Sequence, residues 1–347
     1  MNVLMILGRL LLLPVSLIYG LLTEIRNFLF DLKILPVYHS ALPVISVGNL
    51  VAGGTGKTPF TIWLAEQLSA DYRVAVVSRG YRRQSKGLQI VSQKGKILLS
   101  AREAGDEPCL MARKLPRATV VVAEKRSAAL AWLEREQAAD VVILDDAFQH
   151  RYVHREIDIV LFKKAAQFWF NFPLPTGSWR EFPWRIQRAR FVGLAEKQNL
   201  PLVSRDKQFH VKAVNATLMD AQFNPLFKLS ELANTPLAAF AGIARPQAFF
   251  ESLKKQGLNI LLTFAFSDHH SYTAAEIQKM VNQCQRKKLK YLVCTEKDLV
   301  KISNLIKENE LKPGQSVKIV AVDYRLQVIE SDLLLNEIKK TIDKKIK

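Results

Sequence analysis

Residues 44–59 read Val44-Ile-Ser-Val-Gly-Asn-Leu-Val-Ala-Gly-Gly-Thr-Gly-Lys-Thr-Pro59. The order is an apolar strand, a glycine-rich turn, and the opening of a helix at Gly56-Lys57-Thr58. A helix N-terminus offers unpaired backbone N–H groups and the positive end of a dipole, both suited to phosphate. Gly53, Gly54 and Gly56, with Thr55 between them, let the backbone curl around an anion where a Cβ would interfere. Lys57 can reach the β- and γ-phosphates, and the Thr58 hydroxyl can ligate Mg²⁺. Pro59 is tolerated in a first helical turn. Phe60, Trp63, Leu64 and Leu68 then follow helical spacing and supply a buried face.

The strict phosphate-loop pattern wants glycine at position 51, where this chain has Val51. The plain alternative is a glycine-rich turn without a nucleotide. Gly-Lys-Thr set between a strand and an amphipathic helix argues against it, and a nucleoside triphosphate site is expected.

Working outward, strands and helices alternate. Strands are expected at 73–78, 119–123, 141–144 and 157–162, with a helix from Ser127 to Gln137. Continuous apolar strands separated by helices imply a parallel sheet covered on both faces. The segment Phe168 to Trp184 interrupts this rhythm with prolines and aromatics. Residues 201–235 read as a linker or a small antiparallel element. A second α/β pattern follows, with strands near 237–243, 260–266, 291–294 and 317–322 and helices from Pro246 to Gln256 and Ala274 to Lys288.

The predicted fold is therefore α/β, a P-loop NTPase-like, mostly parallel core with a second, smaller α/β domain and an N-terminal membrane-associated helix. The expected division is 1–35 for the membrane-associated segment, 36–200 for the nucleotide-binding core, 201–235 for the linker and 236–347 for the smaller domain. The last helix is free to pack back on the core.

The chain has 347 residues and 49% hydrophobic content, enough for two cores. Its 50 Lys+Arg against 32 Asp+Glu give a net charge of +18. That excess favours an anionic partner, whether nucleic acid, acidic membrane surface or phosphorylated substrate, without choosing among them. No long basic run or nucleic-acid motif is present, so no nucleic-acid partner is expected. Cys109, Cys284 and Cys294 lack any C-x-x-C spacing, which favours inert thiols over zinc or disulfides. From Val3 to Leu22 the only charge is Arg9. That run is long enough for a tilted span, and equally suits an interfacial helix with Arg9 snorkelling.

Asp145-Asp146 closes the apolar run 141–144, placing two carboxylates at the carboxyl end of a buried strand. Ligands bind at that edge of open α/β sheets, and a carboxylate there can hold Mg²⁺ alongside Thr58. Gln149, His150 and Arg151 just beyond are candidates for phosphate contact. Asp106, in Ala104-Gly-Asp-Glu-Pro108, reads from spacing as the N-cap of the following helix. Thr273 and Glu276 form a capping box, leaving Asp268, His269 and His270 in an exposed turn, either solvated or catalytic. Arg79, Arg82, Arg83 and Lys86 form a basic turn, either solvated or clamping an anionic head group.

Together these pieces resemble the tetraacyldisaccharide 4'-kinase family of lipid A biosynthesis. The resemblance rests on Pro43 to Leu50 with Gly53 to Pro59, Ser78-Arg-Gly-Tyr81, Gly105-Asp-Glu-Pro108, Leu144 to Arg151, Asp268 to Thr273 and Thr295-Glu-Lys-Asp298. Its motifs run in order to about residue 300, and Val51 is typical of the family. Arg82-Arg83 departs from the smaller residues the family often has there.

The resemblance implies transfer of the γ-phosphate of ATP, with Mg²⁺, to the 4'-hydroxyl of a tetraacylated disaccharide 1-phosphate, forming the lipid IVA precursor. It implies an acylated lipid partner, the cytoplasmic face of a Gram-negative inner membrane, and a monomer is expected. Carried over by motif, Asp106 is the base, assisted by His269. Lys57 and Thr58 bind the triphosphate, and Asp145 and Asp146 serve the metal, with Glu107 and Gln149 as weaker carry-overs. The alternative is a P-loop GTPase or ATPase acting on a protein partner. Thr295-Glu-Lys-Asp298 is not the guanine-reading [NT]-K-x-D, since its lysine falls one place late.

Overall fold

The computed structural model describes residues 3–162, 171–195, 198–307 and 317–347. The side chains of residues 3–10, Arg9 among them, and residues 168–170 of the aromatic segment lie outside the described ones.

The first half begins with helix α1 (Val3–Asp31) and strand β1 (Val44–Gly48), followed by α2 (Lys57–Leu68) and β2 (Val74–Ser78). A hairpin of β3 (Gln89–Gln93) and β4 (Lys96–Ile97) precedes α3 (Ala101–Ala104) and α4 (Asp106–Lys114). Then come β5 (Thr119–Val122), α5 (Arg126–Arg135), β6 (Val141–Asp145), β7 (Ile157–Phe162) and β8 (Phe191–Ala195).

The second half holds β9 (Gln208–Met219), β10 (Pro225–Lys228), β11 (Pro236–Ala241), α6 (Pro246–Lys255) and β12 (Asn259–Ala265). It continues with α7 (Ala274–Arg286), β13 (Tyr291–Thr295), α8 (Glu296–Lys307), β14 (Lys318–Val328) and α9 (Ser331–Ile346).

These strands join one sheet in the order β12-β11-β13-β14-β9-β8-β7-β1-β6-β2-β5-β3-β4. Strands β8, β7, β1, β6, β2 and β5 are mutually parallel, as are β14, β13, β11 and β12. Direction reverses once between the two stacks, where β9 runs antiparallel to β14. The core strands β1, β2, β5 and β6 are buried along their whole length, so both sheet faces need helices.

The segment 201–235, read from sequence as a linker or antiparallel element, carries the twelve-residue β9 and its partner β10. Strand β9 does more than connect the halves. Its start pairs with β8, where Ala195 faces Val211, while Leu218 and Met219 pair with Val322 and Ala321 of β14. Thr295, the last residue of β13, faces Val322. The two parallel stacks therefore attach at opposite ends of the β9–β14 ribbon and run toward each other. Their carboxyl ends are separated along β9 by the stretch from Val211 to Leu218, roughly 23 Å at the strand rise. Two ligand-binding edges thus face one another across a single gap.

Helix α1 has an unusual polarity. Ser16 and Asn27 are fully buried, whereas Leu11 is 79% exposed and Val15, Ile18, Leu22 and Ile25 are about half exposed or more. These five recur at helical spacing and form one outward apolar stripe. The inner face is tied by polar contacts: Arg26 to Glu181 at 3.2 Å, Glu24 to Arg185 at 2.8 Å, and Asp31 to both Arg151 and Arg185. Over Leu11–Asp31 the helix is long and apolar enough to cross a membrane.

Candidate active site

The gap between the stacks is a cleft of about 1760 Å³ lined from both sides. Residues 52–59 of the glycine-rich turn, the Asp106 and Asp145-Asp146 carboxylates, His269 and the Thr295–Lys297 turn all reach it.

The glycine-rich turn leaves β1 and enters α2 through Gly56, which has φ +86°, and Gly53 has φ +115°. L-residues adopt such backbone only with strain. A Cβ placed on Gly53, Gly54 or Gly56 would meet nothing within 4 Å, so the turn opens onto free space large enough for an anion. Asn49 Nδ2 donates to Thr55 Oγ1 at 2.9 Å, and Gln149 Nε2 donates to the Asn49 carbonyl at 2.8 Å. Gln149, a candidate for phosphate contact, thus braces the turn from behind.

Asp145 ends β6 fully buried and accepts from Thr61 Oγ1 at 3.1 Å. Burial pushes its carboxyl up to about 7, with the Glu107 and Asp146 charges adding to the rise and Lys57 opposing it. Asp146 follows at φ +47°, which turns its side chain toward the positive charges of Lys57, 3.5 Å away, and Arg180, 2.7 Å away. Burial acts to raise this carboxyl, but Lys57 and Arg180 together hold it below the usual range. Two adjacent carboxylates are therefore pushed apart in acidity.

The donor set of Thr58, Asp145 and Asp146 consists of hard oxygens. Among the described residues no cluster of three or more His, Cys, Asp or Glu side chains forms a metal cage. Mg²⁺ suits such a place, because it retains waters and needs only one or two carboxylates beside substrate phosphates.

Asp106 is not the cap of its helix. Gly105 takes that position at φ +94°, and no side chain caps the N-terminus. Freed from capping, the Asp106 carboxylate crosses the cleft to His269, with Nδ1 and Oδ2 3.0 Å apart. A carboxylate only accepts, so Nδ1 carries the proton in this pair. His269 is held in a left-handed turn at φ +60°, its N–H donating to the Gly242 carbonyl at 3.2 Å. Its neighbour His270 points elsewhere, toward Glu276 at 3.1 Å, where Glu276 also completes the capping box with Thr273. Glu107 pairs with Lys297 across the same gap.

The basic turn divides. Arg82 donates to the Asp268 carbonyl at 3.1 Å, and Arg83 pairs with Glu124 at 2.5 Å. Arg79 remains on the cleft wall. It is joined there by Arg126, which sequence reasoning missed. Arg126 is only 5% exposed, and its Nε has no hydrogen-bond partner among the described residues. Burial lowers the guanidinium's affinity for its proton and Arg79 lowers it further. His150, on the same wall, is pushed down to about 4 by burial and then by Arg126, Arg155, Arg79 and Arg26. Arg151 instead ties α1 in place through Asn27 and Asp31. A buried guanidinium with an unpartnered Nε and a neutral imidazole on the same wall make a pocket short of negative charge.

A family model described as Tetraacyldisaccharide-1-P 4'-kinase (LpxK) matches residues 8–343. A Tetraacyldisaccharide 4'-kinase of Pelodictyon phaeoclathratiforme is 39% identical over 304 residues, covering 83% of this chain and 85% of its own. One of Chlorobium phaeovibrioides is 37% identical, covering 93% of this chain and 95% of its own. Among solved structures, LpxK from Aquifex aeolicus in complex with ATP superimposes with a TM-score of 0.81 at 32% identity, covering 96% of this chain and 99% of that one.

Proposed function

The chain belongs to the tetraacyldisaccharide 4'-kinase family, and on that premise we propose how its cleft moves the γ-phosphate of ATP to the 4'-hydroxyl of a tetraacylated disaccharide 1-phosphate. The observation that carries this reading is the meeting of two carboxyl edges. One holds the glycine-rich turn and the other presents His269 to Asp106.

The donor half falls in 36–200. Gly53 to Thr58 cradle the triphosphate with backbone N–H groups, and Lys57 neutralises charge on its terminal phosphates. Lys57 and Arg180 are paired with Asp146, so an arriving triphosphate exchanges one anion for another at those cations. Thr58, Asp145 and Asp146 would hold Mg²⁺, which would supply charge neutralisation for the triphosphate.

The acceptor half lies between Asp106, His269 and the arginines. Asp106 takes the proton from the 4'-hydroxyl as its oxygen bonds to the γ-phosphorus, and ADP leaves from the opposite side. His269 keeps its Nδ1 proton on Asp106 and so fixes the carboxylate's orientation. Arg79 and Arg126 receive the acceptor's own anionic group. Residues 236–347 contribute His269 and the Thr295–Lys297 turn.

Tyr19, Thr23 and Arg26 bring α1 to the cleft wall, so the cleft lies beside the helix whose outward apolar stripe can meet acyl chains. The outward stripe of α1 lies in the cytoplasmic face of the inner membrane, so the lipid reaches the cleft without crossing water.

Transfer of label from γ-labelled ATP to tetraacyldisaccharide 1-phosphate tests the whole reading. Labelled bisphosphorylated lipid is expected. Release of labelled inorganic phosphate alone, unaffected by lipid, would instead favour an ATPase acting on a protein partner.

A further inference from the structure

Lys301 is only 7% exposed in its side chain and lies on α8, outside the lining of the cleft. Its ammonium meets three acceptors: Asp298 Oδ1 at 2.9 Å, the Gly242 carbonyl at 3.3 Å and Asp106 Oδ2 at 3.7 Å. The Tyr272 ring covers it, with the centroid 5.2 Å away. An ammonium has three protons to place and loses much if buried without partners.

Asp298 is fully buried and is saturated by its surroundings. It accepts from Tyr272 Oη at 2.9 Å, Thr295 Oγ1 at 2.6 Å and the Gly242 N–H at 3.2 Å. Gly242 is thus gripped at both ends, its N–H by Asp298 and its carbonyl by Lys301. That carbonyl also accepts from the backbone N–H of His269. There is no room for a side chain here, since a Cβ on Gly242 would come within 2.7 Å of Tyr272 Oη. The Lys301–Asp298 pair therefore touches both members of the site. It reaches the imidazole through the Gly242 carbonyl and the carboxylate directly.

We propose that Lys301 is a positioning residue for phosphoryl transfer, which fixes the Asp106 carboxylate and the turn presenting His269 while touching neither substrate. The role rests on reading Asp106 as the base. Both of the contacts described fall on Oδ2 of Asp106. With that oxygen occupied, Oδ1 is left to take the proton of the acceptor hydroxyl. Fixing the carboxylate in advance removes rotation that would otherwise accompany each turnover.

Steady-state kinetics of Asp106→Asn, Lys301→Met and the double variant test this. Lys301→Met is expected to lower kcat on the order of 10²-fold, the scale of a misplaced catalytic group, with the KM for ATP nearly unchanged. In the Asp106→Asn background the same change should cost less than about twofold, because residues acting as a unit are not additive. Multiplying losses would mean that Lys301 acts independently of Asp106 and would overturn the proposal, as would a near-normal kcat for Lys301→Met.

Breaking a buried ion pair from one side can unfold a protein. The paired variant Lys301→Met with Asp298→Asn removes both charges together, and it should show the same kcat loss with a normal unfolding midpoint. Recovery of its kcat to normal would overturn the role. Should Asp106→Asn alone keep full turnover, the reading of Asp106 as base fails first and the positioning role falls with it. A normal Asp106→Asn defect beside an unimpaired Lys301→Met sinks the positioning role alone.

Discussion

Oδ2 of Asp106 and Nδ1 of His269 lie 3.0 Å apart across the cleft, one from the first turn of α4 and the other from the turn after β12. The pair joins the two walls of the cleft, where the proposed function has the acceptor hydroxyl meet the triphosphate. Substituting Asp106→Asn keeps the volume and removes the proposed base. Turnover should fall about 10²–10⁴-fold, the usual worth of a general base, while ATP affinity measured by calorimetry stays near normal. Equal loss of ATP affinity would make Asp106 a determinant of nucleotide binding instead.

The glycine-rich turn makes a separate prediction about the donor. Gly56 stands at φ +86° with open space where a Cβ would point. Gly56→Ala therefore suffers from backbone strain and not from collision, at a cost of about 1–2 kcal/mol. Any relaxation of φ redirects the N–H groups proposed to cradle phosphate. ATP affinity should drop more than stability does, which parallel calorimetry and thermal unfolding would separate. An unchanged ATP affinity would remove this turn from the phosphate site.

Much of the donor side is legible in sequence because it is local. Strand, glycine turn and helix follow one another within residues 44–68, and the Thr273–Glu276 capping box spans three residues. The acceptor side is built by distant pairing and carries no such signature. Strand β9 mixes polar and apolar residues, and its role becomes visible only once β14 lies beside it. Asp106 looked like a cap because Asp is a good one, whereas Gly105 takes that place. Lys301 is a single charge three residues beyond the last motif, and nothing in the sequence marks it out. Arg126 had one usable signal, as the first residue of a helix just beyond the carboxyl end of β5, the edge where ligands bind.

His150 reports on the arginine wall. Burial and the surrounding arginines push its imidazole down to about 4, so it is neutral at physiological pH. A base depressed on folding favours the folded state fully above its ordinary value of 6.5, and that contribution is lost as pH falls toward 4. An anion seated on Arg79 and Arg126 would offset the positive charge and raise the midpoint. Imidazole NMR with saturating glucosamine 1-phosphate should show a rise of about one unit or more. No movement at saturation would separate His150 and its arginines from the acceptor.

Glu296 opens α8 beside Lys114, which also contacts Asp323, both at 2.5 Å. Burial pushes the Glu296 carboxyl up to about 7, Lys114 opposes the rise, and Asp323 adds to it. A carboxyl raised on folding contributes stability that is complete below its ordinary value of 4.5 and is lost as pH rises through 7. Glu296→Gln never ionises, and Lys114 keeps Asp323 as a partner. The variant should match the parent near pH 4.5 and exceed it by roughly 1–3 kcal/mol above pH 8. Denaturant unfolding at both pH values checks this, and a parent more stable at the higher pH would show that the Lys114 attraction outweighs burial.

Helix α1 turns its polar residues inward and its apolar stripe outward, the reverse of a helix that serves a water-soluble core. Ser16 donates to the Leu12 carbonyl and accepts from the Thr176 N–H at 2.9 Å, and the Arg26–Glu181–Arg188 chain ties the helix to the segment after residue 171. Those contacts belong to the inner face, so the outer stripe can be altered without touching them. Replacing Leu11, Val15, Ile18 and Leu22 with Gln should leave the unfolding midpoint within a few degrees of the parent, because exposed positions contribute little to stability. It should move the protein from the membrane to the soluble fraction, and lower turnover on lipid in vesicles more than on lipid dispersed in detergent. Each fully buried Leu, Ile or Val side chain adds about 1.5–3 kcal/mol to membrane binding, so replacing four of them is expected to detach a helix lying in the interface. Retention in the membrane fraction would assign attachment to some other part of the chain.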